Sequence, residues 1–304
     1  MYKVDNAVIL AAGLSRRFAP LSHEKPKSLI EVKGEILIER QIRQIKEAGI
    51  SDIYIVTGYK SEQFKYLEKK FGVKLLLNNE YYVRNNHSSI YVAREHIKNT
   101  YICSADNYFS INPFEKEVND SYYATLYSDD YTKEWCVSLD ENGYINEVNI
   151  GGSKSWYMIG HTFWSENFSR EFIKILEEVY ENPETKDLLW EDIYRANLNR
   201  LMMGIRKYDD GDIYEFDSLD ELRKFDHTYI DETRSQIIHE ISERLSIKEG
   251  NMIDFMEVKE KTIDEPARFK FRIKNDKTRT WYYYEYADKN LIKEKNDNNS
   301  KDML

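Results

Sequence analysis

The chain has 304 residues, enough for one large domain with an appendage or for two domains. Hydrophobic residues make up 41% and charged residues 32%, with a net charge of −10. That balance supports a packed core and excludes a broad basic surface for nucleic acid. The two cysteines, Cys103 and Cys136, stand outside any metal-type pair and form no disulfide framework, and no apolar stretch approaches the roughly 20 residues that cross a bilayer.

The first apolar run, residues 7–14, lacks a basic leader and is followed at once by Ser15, Arg16 and Arg17. It reads as a buried first strand rather than a secretory leader, which makes the cytoplasm the default compartment and gives no expectation of membrane insertion. Strand and helix signals then alternate. Residues 36–48 carry Ile38, Ile42 and Ile45 at helical spacing and stop at Gly49. Residues 52–57 are β-branched and strand-like, 61–71 an amphipathic helix, 73–77 a strand, 90–97 a helix and 101–104 a strand. This is the rhythm of an α/β fold, a mostly parallel sheet covered by helices.

Past residue 106 the pattern shifts to short strands at 122–127, 135–139, 144–148 and 158–164, with turns between them. Those strands predict a partly antiparallel extension of a mixed sheet. Amphipathic helices follow at 169–180 and 188–198, edge strands at 205–208 and 214–216, and a closing helix at 219–225. This main domain spans 1–226. A small α+β extension occupies 227–292, with a helix at 234–245 and a hairpin about Asn275-Asp276. The stretch 293–304 is polar and reads as a disordered tail.

The most informative segment is LAAGLSRRFAPLSHEKPKSL at 10–29. A buried strand delivers a loop containing Gly13, whose backbone N–H groups can wrap a phosphate, and Arg17 and Lys27 add positive charge. It is neither a Walker loop nor G-x-G-x-x-G. The string resembles the signature of sugar-phosphate-type nucleotidyltransferases, L-A-A-G-x-G-[ST]-R-[LM]-x-P-L-[TS]-x-x-x-P-K-x-[LM]. Here Ser15 replaces the second glycine and Arg16 the following Ser/Thr. Further strings narrow the resemblance to bacterial CTP:phosphocholine cytidylyltransferases: GYKSEQF (58–64), NNEYYVRNNHSSIY (78–91), SADNYF (104–109), KEW (133–135), LLWEDI (188–193) and IYEFDSLDELRK (213–224).

The resemblance implies a Rossmann-like nucleotidyltransferase fold over the first 225 or so residues, with roles by position. Arg17 would hold the β,γ-phosphates and Lys27 the α-phosphate, and Asp106 shares the catalytic role with them. Nucleotide contacts fall at Leu10, Ala12, Gly13, Leu14, Ser15, Asn86, Ser88 and Ala105. Asp106 and Asp217 would be the carboxylates for Mg²⁺, a hard cation that takes one or two of them plus substrate phosphates. Each aspartate also follows a predicted strand, at the carboxyl end where α/β sheets bind ligands. Read alone, Asp217 in D-S-L-D-E equally suits a helix cap.

The implied partners are CTP and a small phosphorylated amine. A quaternary ammonium is best held by aromatic faces beside carboxylates. The chain has 24 tyrosines and five tryptophans, and Glu134-Trp135 and Trp190 with Asp192 are the candidate acceptor residues. Related acceptors remain open: 2-aminoethylphosphonate, phosphoethanolamine or a sugar 1-phosphate. So does a non-catalytic regulatory protein with this fold. The extension resembles faintly the opening of a choline-kinase-like lobe without the kinase motifs, and docking or self-association is the plain expectation for it.

Overall fold

The computed structural model describes residues 1–258 and 267–294, and the backbone of 301–303. Packing groups them otherwise than a cut at residue 226 would. One compact unit contains 1–13 and 34–215, and the other contains 14–33 and 216–304.

The first unit is built on a nine-stranded sheet. Its strands are β1 (Asn6–Ala11), β2 (Ile53–Thr57), β3 (Lys74–Leu77), β4 (Thr100–Ser104), β5 (Tyr122–Ser128), β6 (Thr132–Leu139), β7 (Ile145–Gly152), β8 (Ser155–Trp164) and β9 (Gly204–Lys207). The order is β7-β6-β8-β4-β1-β2-β3, with β5 on β8 and β9 on β5. β1 lies parallel between β2 and β4, Ala7 opposite Ile53 and Tyr101. NAVILA and IYIVT are apolar along both faces, as a strand covered by helices on each side requires. Every pairing of β8 is antiparallel, His161 opposite Cys103, while β9 joins β5 in parallel. The expected α/β class and the mixed, mostly parallel sheet are therefore found.

Helices close both faces. α1 (Leu37–Glu47) buries Ile38, Ile42 and Ile45 and ends in a Schellman turn: Gly49, at φ 84, donates to Lys46 and Ile50 to Ile45. The expected helix at 61–71 is split into a 3₁₀ turn, Ser61–Phe64, and α2 (Tyr66–Phe71). The expected 90–97 helix begins earlier, as α3 (His87–Ala93). α4 (Glu166–Tyr180) is capped by Ser165 and buries Phe168, Phe172, Ile175 and Leu176 on one stripe. α5 (Trp190–Arg195) is shorter than the 188–198 expected. Cys103 is a fully buried, free thiol whose ionisation burial strongly disfavours, as a small core hydrophobe should be.

The second unit joins the 14–33 segment to α6 (Leu219–Phe225), α7 (Gln236–Leu245) and a five-stranded antiparallel sheet. Its strands are β10 (Met252–Val258), β11 (Arg268–Ile273), β12 (Tyr282–Glu285), β13 (Asn290–Glu294) and β14 (Lys301–Met303). β11 and β12 form the expected hairpin. The reading of 293–304 as a disordered tail is corrected: Lys293 and Glu294 belong to β13, and β14 pairs with it. The rest of that stretch, 295–300 and 304, lies outside the described residues. Phe269, Phe271, Tyr284 and Leu291 alternate onto the buried face, which is why this short sheet is stable.

Candidate active site

In the first unit the site starts at the carboxyl ends of β1 and β4. Ala105 N–H donates to the Leu10 carbonyl (3.3 Å) and Tyr59 N–H to that of Ala12 (3.1 Å). Leu10, Ala12, Gly13, Ala105 and Asp106 are thereby gathered at one end of adjacent parallel strands, as expected for a ligand site in such a sheet. α1 fixes the turn after β4: Gln41 Nε2 donates to the Ser104 carbonyl (3.0 Å) and Gln44 Nε2 to that of Phe109 (3.1 Å). A Cβ added at Gly13 would meet no atom within 4 Å, and its φ lies outside the left-handed region. The glycine therefore leaves open space beside the backbone. Gly58, in GYKSEQF, has a different reason: a Cβ there would lie 2.7 Å from Tyr81 Cβ and Cγ.

Beyond Asp106 the chain forms a ribbon, Asn107–Phe109 with Ile213–Glu215, which sets Glu215 opposite Asn107. Sequence reasoning missed Glu215, although it stands inside the string IYEFD; only the pairing reveals its neighbour. Asn107 is 1% exposed, and among the described residues both its amide oxygen and nitrogen lack a hydrogen-bond partner. A buried polar group in that state calls for a ligand, water or ion.

In the second unit the loop continues from Leu14 and Ser15. Ser15 has φ 50 and ψ 46, the left-handed conformation that favours glycine. That is the physical reason for a glycine at this place in the signature, and the serine here accepts strain of about 1–2 kcal/mol. Its carbonyl accepts the Phe18 N–H (2.9 Å), closing the 3₁₀ turn Arg16–Phe18. Arg17, with a side chain 77% exposed, pairs with Asp217 at 2.5 Å. Lys27 is only 5% exposed, its ammonium 5.7 Å from the Phe18 ring centre. Asp217 N–H donates to the Glu221 carboxylate, and Ser218 rather than Asp217 caps α6. The cap reading of Asp217 is thus replaced by a carboxylate aimed at a cation.

Several residues expected to touch substrate do other work. Asn86 uses its amide to join two helix starts, accepting the Trp190 N–H (2.7 Å) and donating to Glu191 (3.0 Å). Ser88 is fully buried, accepting from Asn78 and donating to the Asn85 carbonyl. Both side chains thus tie the scaffold together. Trp190 is 3% exposed, stacked on Tyr123 (5.6 Å, 7°) and edge-on to Trp164 (5.2 Å). It is a core residue, and the expectation of a cage wall is corrected. Asp192 accepts the Leu189 N–H (2.9 Å) and pairs with Arg195 (3.6 Å), so it caps α5 instead of facing an acceptor. Trp135 is half-buried on β6, with the Arg195 guanidinium 5.3 Å from its ring centre. Glu134 beside it is exposed.

Burial explains the shifted groups nearby. Glu191 is pushed up to about 7 by desolvation, against the hydrogen bonds from Asn86 and Tyr123 that favour its charge. His161, fully enclosed near Arg206, is pushed down to about 3 and stays neutral. His87 Nδ1 donates to the Leu188 carbonyl (2.6 Å), and burial lowers the affinity of the ring for a second proton.

No cage of three or more His, Cys, Asp or Glu gathers among the described residues. Taken unit by unit, Asp106 and the Asn107 amide in the first and Asp217 in the second are oxygen donors of the hard kind that Mg²⁺ takes alongside waters and phosphates.

Residues 7–111 match the family described as MobA-like NTP transferase domain. The choline-phosphate cytidylyltransferase of Streptococcus pneumoniae is 34% identical over 220 residues, 72% of this chain and 96% of that protein. This chain belongs to its family of nucleotidyltransferases. The solved structure of CTP:phosphocholine cytidylyltransferase from Streptococcus pneumoniae matches the cytidylyltransferase fold with a TM-score of 0.71 at 34% identity, over 75% of this chain and 99% of that one. A 2-aminoethylphosphonate cytidylyltransferase of Lancefieldella rimae is 36% identical over 229 residues, 74% of this chain and 93% of its own. About a quarter of the present cytidylyltransferase therefore lies outside each match.

Proposed function

We propose that this enzyme transfers CMP from CTP to phosphocholine, giving CDP-choline and pyrophosphate, with Mg²⁺ as its cation and the cytoplasm as its compartment. The observation that carries the reading is 34% identity across 96% of the pneumococcal choline-phosphate cytidylyltransferase. A phosphomonoester oxygen of the acceptor attacks the α-phosphorus of CTP. The bond from that phosphorus to the bridging oxygen breaks opposite it, and pyrophosphate leaves with the electron pair. The attacking oxygen is already ionised near neutral pH, so no strong general base is needed.

Lys27 holds its ammonium against the α-phosphoryl oxygens as charge develops. Its burial supports that role, because a cation shielded from water acts more strongly on an anion. Arg17 binds the β,γ-phosphates, exchanging Asp217 for them. Leu10, Ala12, Gly13, Leu14, Ser15 and Ala105 line the nucleotide, with the open space at Gly13 admitting it. Mg²⁺, when bound, neutralises phosphate charge, with Asp106 and Asp217 as its carboxylate donors. Trp135 and Glu134 face the acceptor ammonium.

A second reading keeps the chemistry and changes the acceptor to 2-aminoethylphosphonate. It is favoured by the 36% identical relative and by the burial of Trp190, which removes one aromatic face from a quaternary-ammonium site. The full chain, incubated with each NTP against phosphocholine, phosphoethanolamine, 2-aminoethylphosphonate and glucose 1-phosphate, decides by pyrophosphate release. CTP with phosphocholine should show the highest kcat/KM. A preference for a primary amine transfers the assignment to the second reading, and turnover only with a sugar phosphate refutes both.

A further inference from the structure

The signature segment that carries Lys27 is tied on both flanks to residues that follow it by about 200 positions. Three residues before Lys27, Glu24 Oε1 accepts the Ile237 N–H (3.0 Å). That N–H is in the first turn of α7, where Ser235 already caps Ile238 (3.2 Å). Glu24 thus satisfies a second helix-start donor with a charge that suits that end of the helix dipole. Four residues after Lys27, the Glu31 carbonyl accepts from Tyr229 Oη (2.6 Å) and Arg234 Nη1 (3.3 Å), and Arg234 also pairs with the Glu31 carboxylate (3.5 Å). Two residues further, the Lys33 N–H donates to Asp226 Oδ2 (2.8 Å). Tyr229 is 1% exposed, so its bond is shielded from water, and Arg234 is held at φ 59. A cavity of about 230 Å³ runs along this seam, lined among others by Leu21, Ile30 and Thr233. These discrete bonds add to the packing of the buried Leu21, Leu29 and Ile30 in holding the segment.

We propose that residues 226–237 are a positioning clamp for the Lys27 segment, so that the extension sets the placement of the transfer cation instead of serving only as an appendage. The inference rests on the assignment of Lys27 to the α-phosphate. An eight-residue stretch fixed at both ends keeps few conformations, and misplacing a catalytic group by about 1 Å can cost on the order of 100-fold in rate. Glu24, Tyr229 and Arg234 act through Lys27 and are positioning residues.

The test uses the full chain and the variants Glu24→Ala, Glu24→Gln and Tyr229→Phe. Hydrogen exchange is followed at the amides of Lys25, Leu29 and Ile30, which close the local turns onto Leu21, Pro26 and Lys27. Glu24→Ala and Tyr229→Phe should speed exchange there by about tenfold and lower kcat by on the order of 10-fold with a smaller change in the KM for CTP, since Lys27 acts on charge that appears in the transition state. Glu24→Gln keeps the acceptor oxygen and should restore both. Unchanged exchange together with unchanged kcat in the folded Ala and Phe variants overturns the clamp. So does a lowered melting temperature with kcat intact, which would mark a purely structural tie. If the wild type transfers CMP to none of the acceptors, the function is refuted on that ground alone, and faster exchange at the three amides still reports whether the clamp exists.

Discussion

Replacing Glu191 by glutamine should stabilise the protein at pH 8 and leave it unchanged near pH 4. Glu191 carries a carboxyl pushed up to about 7 from its ordinary 4.5, chiefly by desolvation. A carboxyl whose folded value lies above its unfolded one binds its proton more tightly when folded. Its contribution is fully present below about pH 4.5 and is lost as the pH rises through about 7. The gap of about 2.5 pH decades, at about 1.4 kcal/mol each, sets an upper figure of about 3 kcal/mol. Glu191 is half-buried by surface area, which trims the expectation to about 1–3 kcal/mol. Glutamine keeps the shape, can still accept from Asn86 Nδ2, and offers its own N–H to the Tyr123 hydroxyl, which can accept in place of donating. Urea unfolding of both proteins at pH 5, 6, 7 and 8 measures the difference. It should widen across that range and level off above about pH 7. A constant offset, or one that narrows with pH, refutes the argument.

Lys27→Ala should lower kcat by on the order of 10²–10³, the usual loss when one charge-stabilising donor is removed, and a wild-type rate would dismiss the loop assignment. EDTA should abolish pyrophosphate release and Mg²⁺ restore it, with Asp106→Asn needing more Mg²⁺ for half-maximal rate in a titration. Trp190→Ala should destabilise the fold by about 3–5 kcal/mol, read by denaturant unfolding, whereas Trp135→Ala should raise the KM for the acceptor only a few-fold, below the roughly 2- to 30-fold of a whole cation–π contact, because Arg195 already covers the ring. Arg195→Ala frees the Trp135 face and should lower the KM for phosphocholine more than that for phosphoethanolamine; an equal change for both would mean that the ring does not read the methyl groups.

The parallel half of the sheet was legible because its strands are short, apolar on both faces and separated by amphipathic helices with clear stops, as at Gly49. Boundaries slipped where local and tertiary preferences diverge. Ser61–Phe71 has one apolar face, yet Lys60 at φ 49 and the 3₁₀ turn break it in two. The loop residues stood out in the sequence because a twenty-residue string resembles a phosphate-handling signature in order. The residue that orders the turn behind Asp106, Gln41, was invisible: a polar side chain on the inner face of a helix looks like a flaw in the pattern until its acceptor, the Ser104 carbonyl, is known. The grouping of 14–33 with the extension was equally hidden, since it depends on bonds between residues about 200 positions apart. Glu31 and Lys33 are ordinary surface charges by sequence, and their bonds are made by backbone atoms that no motif records.

On the acceptor side Trp190 departs from expectation for an instructive reason. An aromatic residue beside acids suits both an ammonium cage and a helix start packed on a core, and local sequence does not distinguish them. At Trp190 the acids are spent on Asn86, Tyr123 and the Leu189 N–H, and the ring is spent on Tyr123 and Trp164. The other tryptophans are also engaged. Trp164 is buried, Trp156 lies under Lys207 (4.8 Å), Trp281 under Lys270 (4.2 Å), and Trp135 under Arg195 (5.3 Å). A choline headgroup reaching Trp135 must therefore displace a cation that the protein already places there. The net gain is the difference between two cation–π contacts, each worth about 0.5–2 kcal/mol, rather than the whole of one. Arg195 also has Asp192 to fall back on, which lowers the cost of moving it. Selectivity for methylated over primary amines built this way is modest, and an exposed carboxylate such as Glu134 or Glu215 favours the primary amine by hydrogen bonding. With Trp135 and Glu134 as the proposed acceptor residues, phosphocholine and phosphoethanolamine, which differ only at the ammonium, thus compete on nearly equal terms, so the discrimination that the screen measures between them should be small.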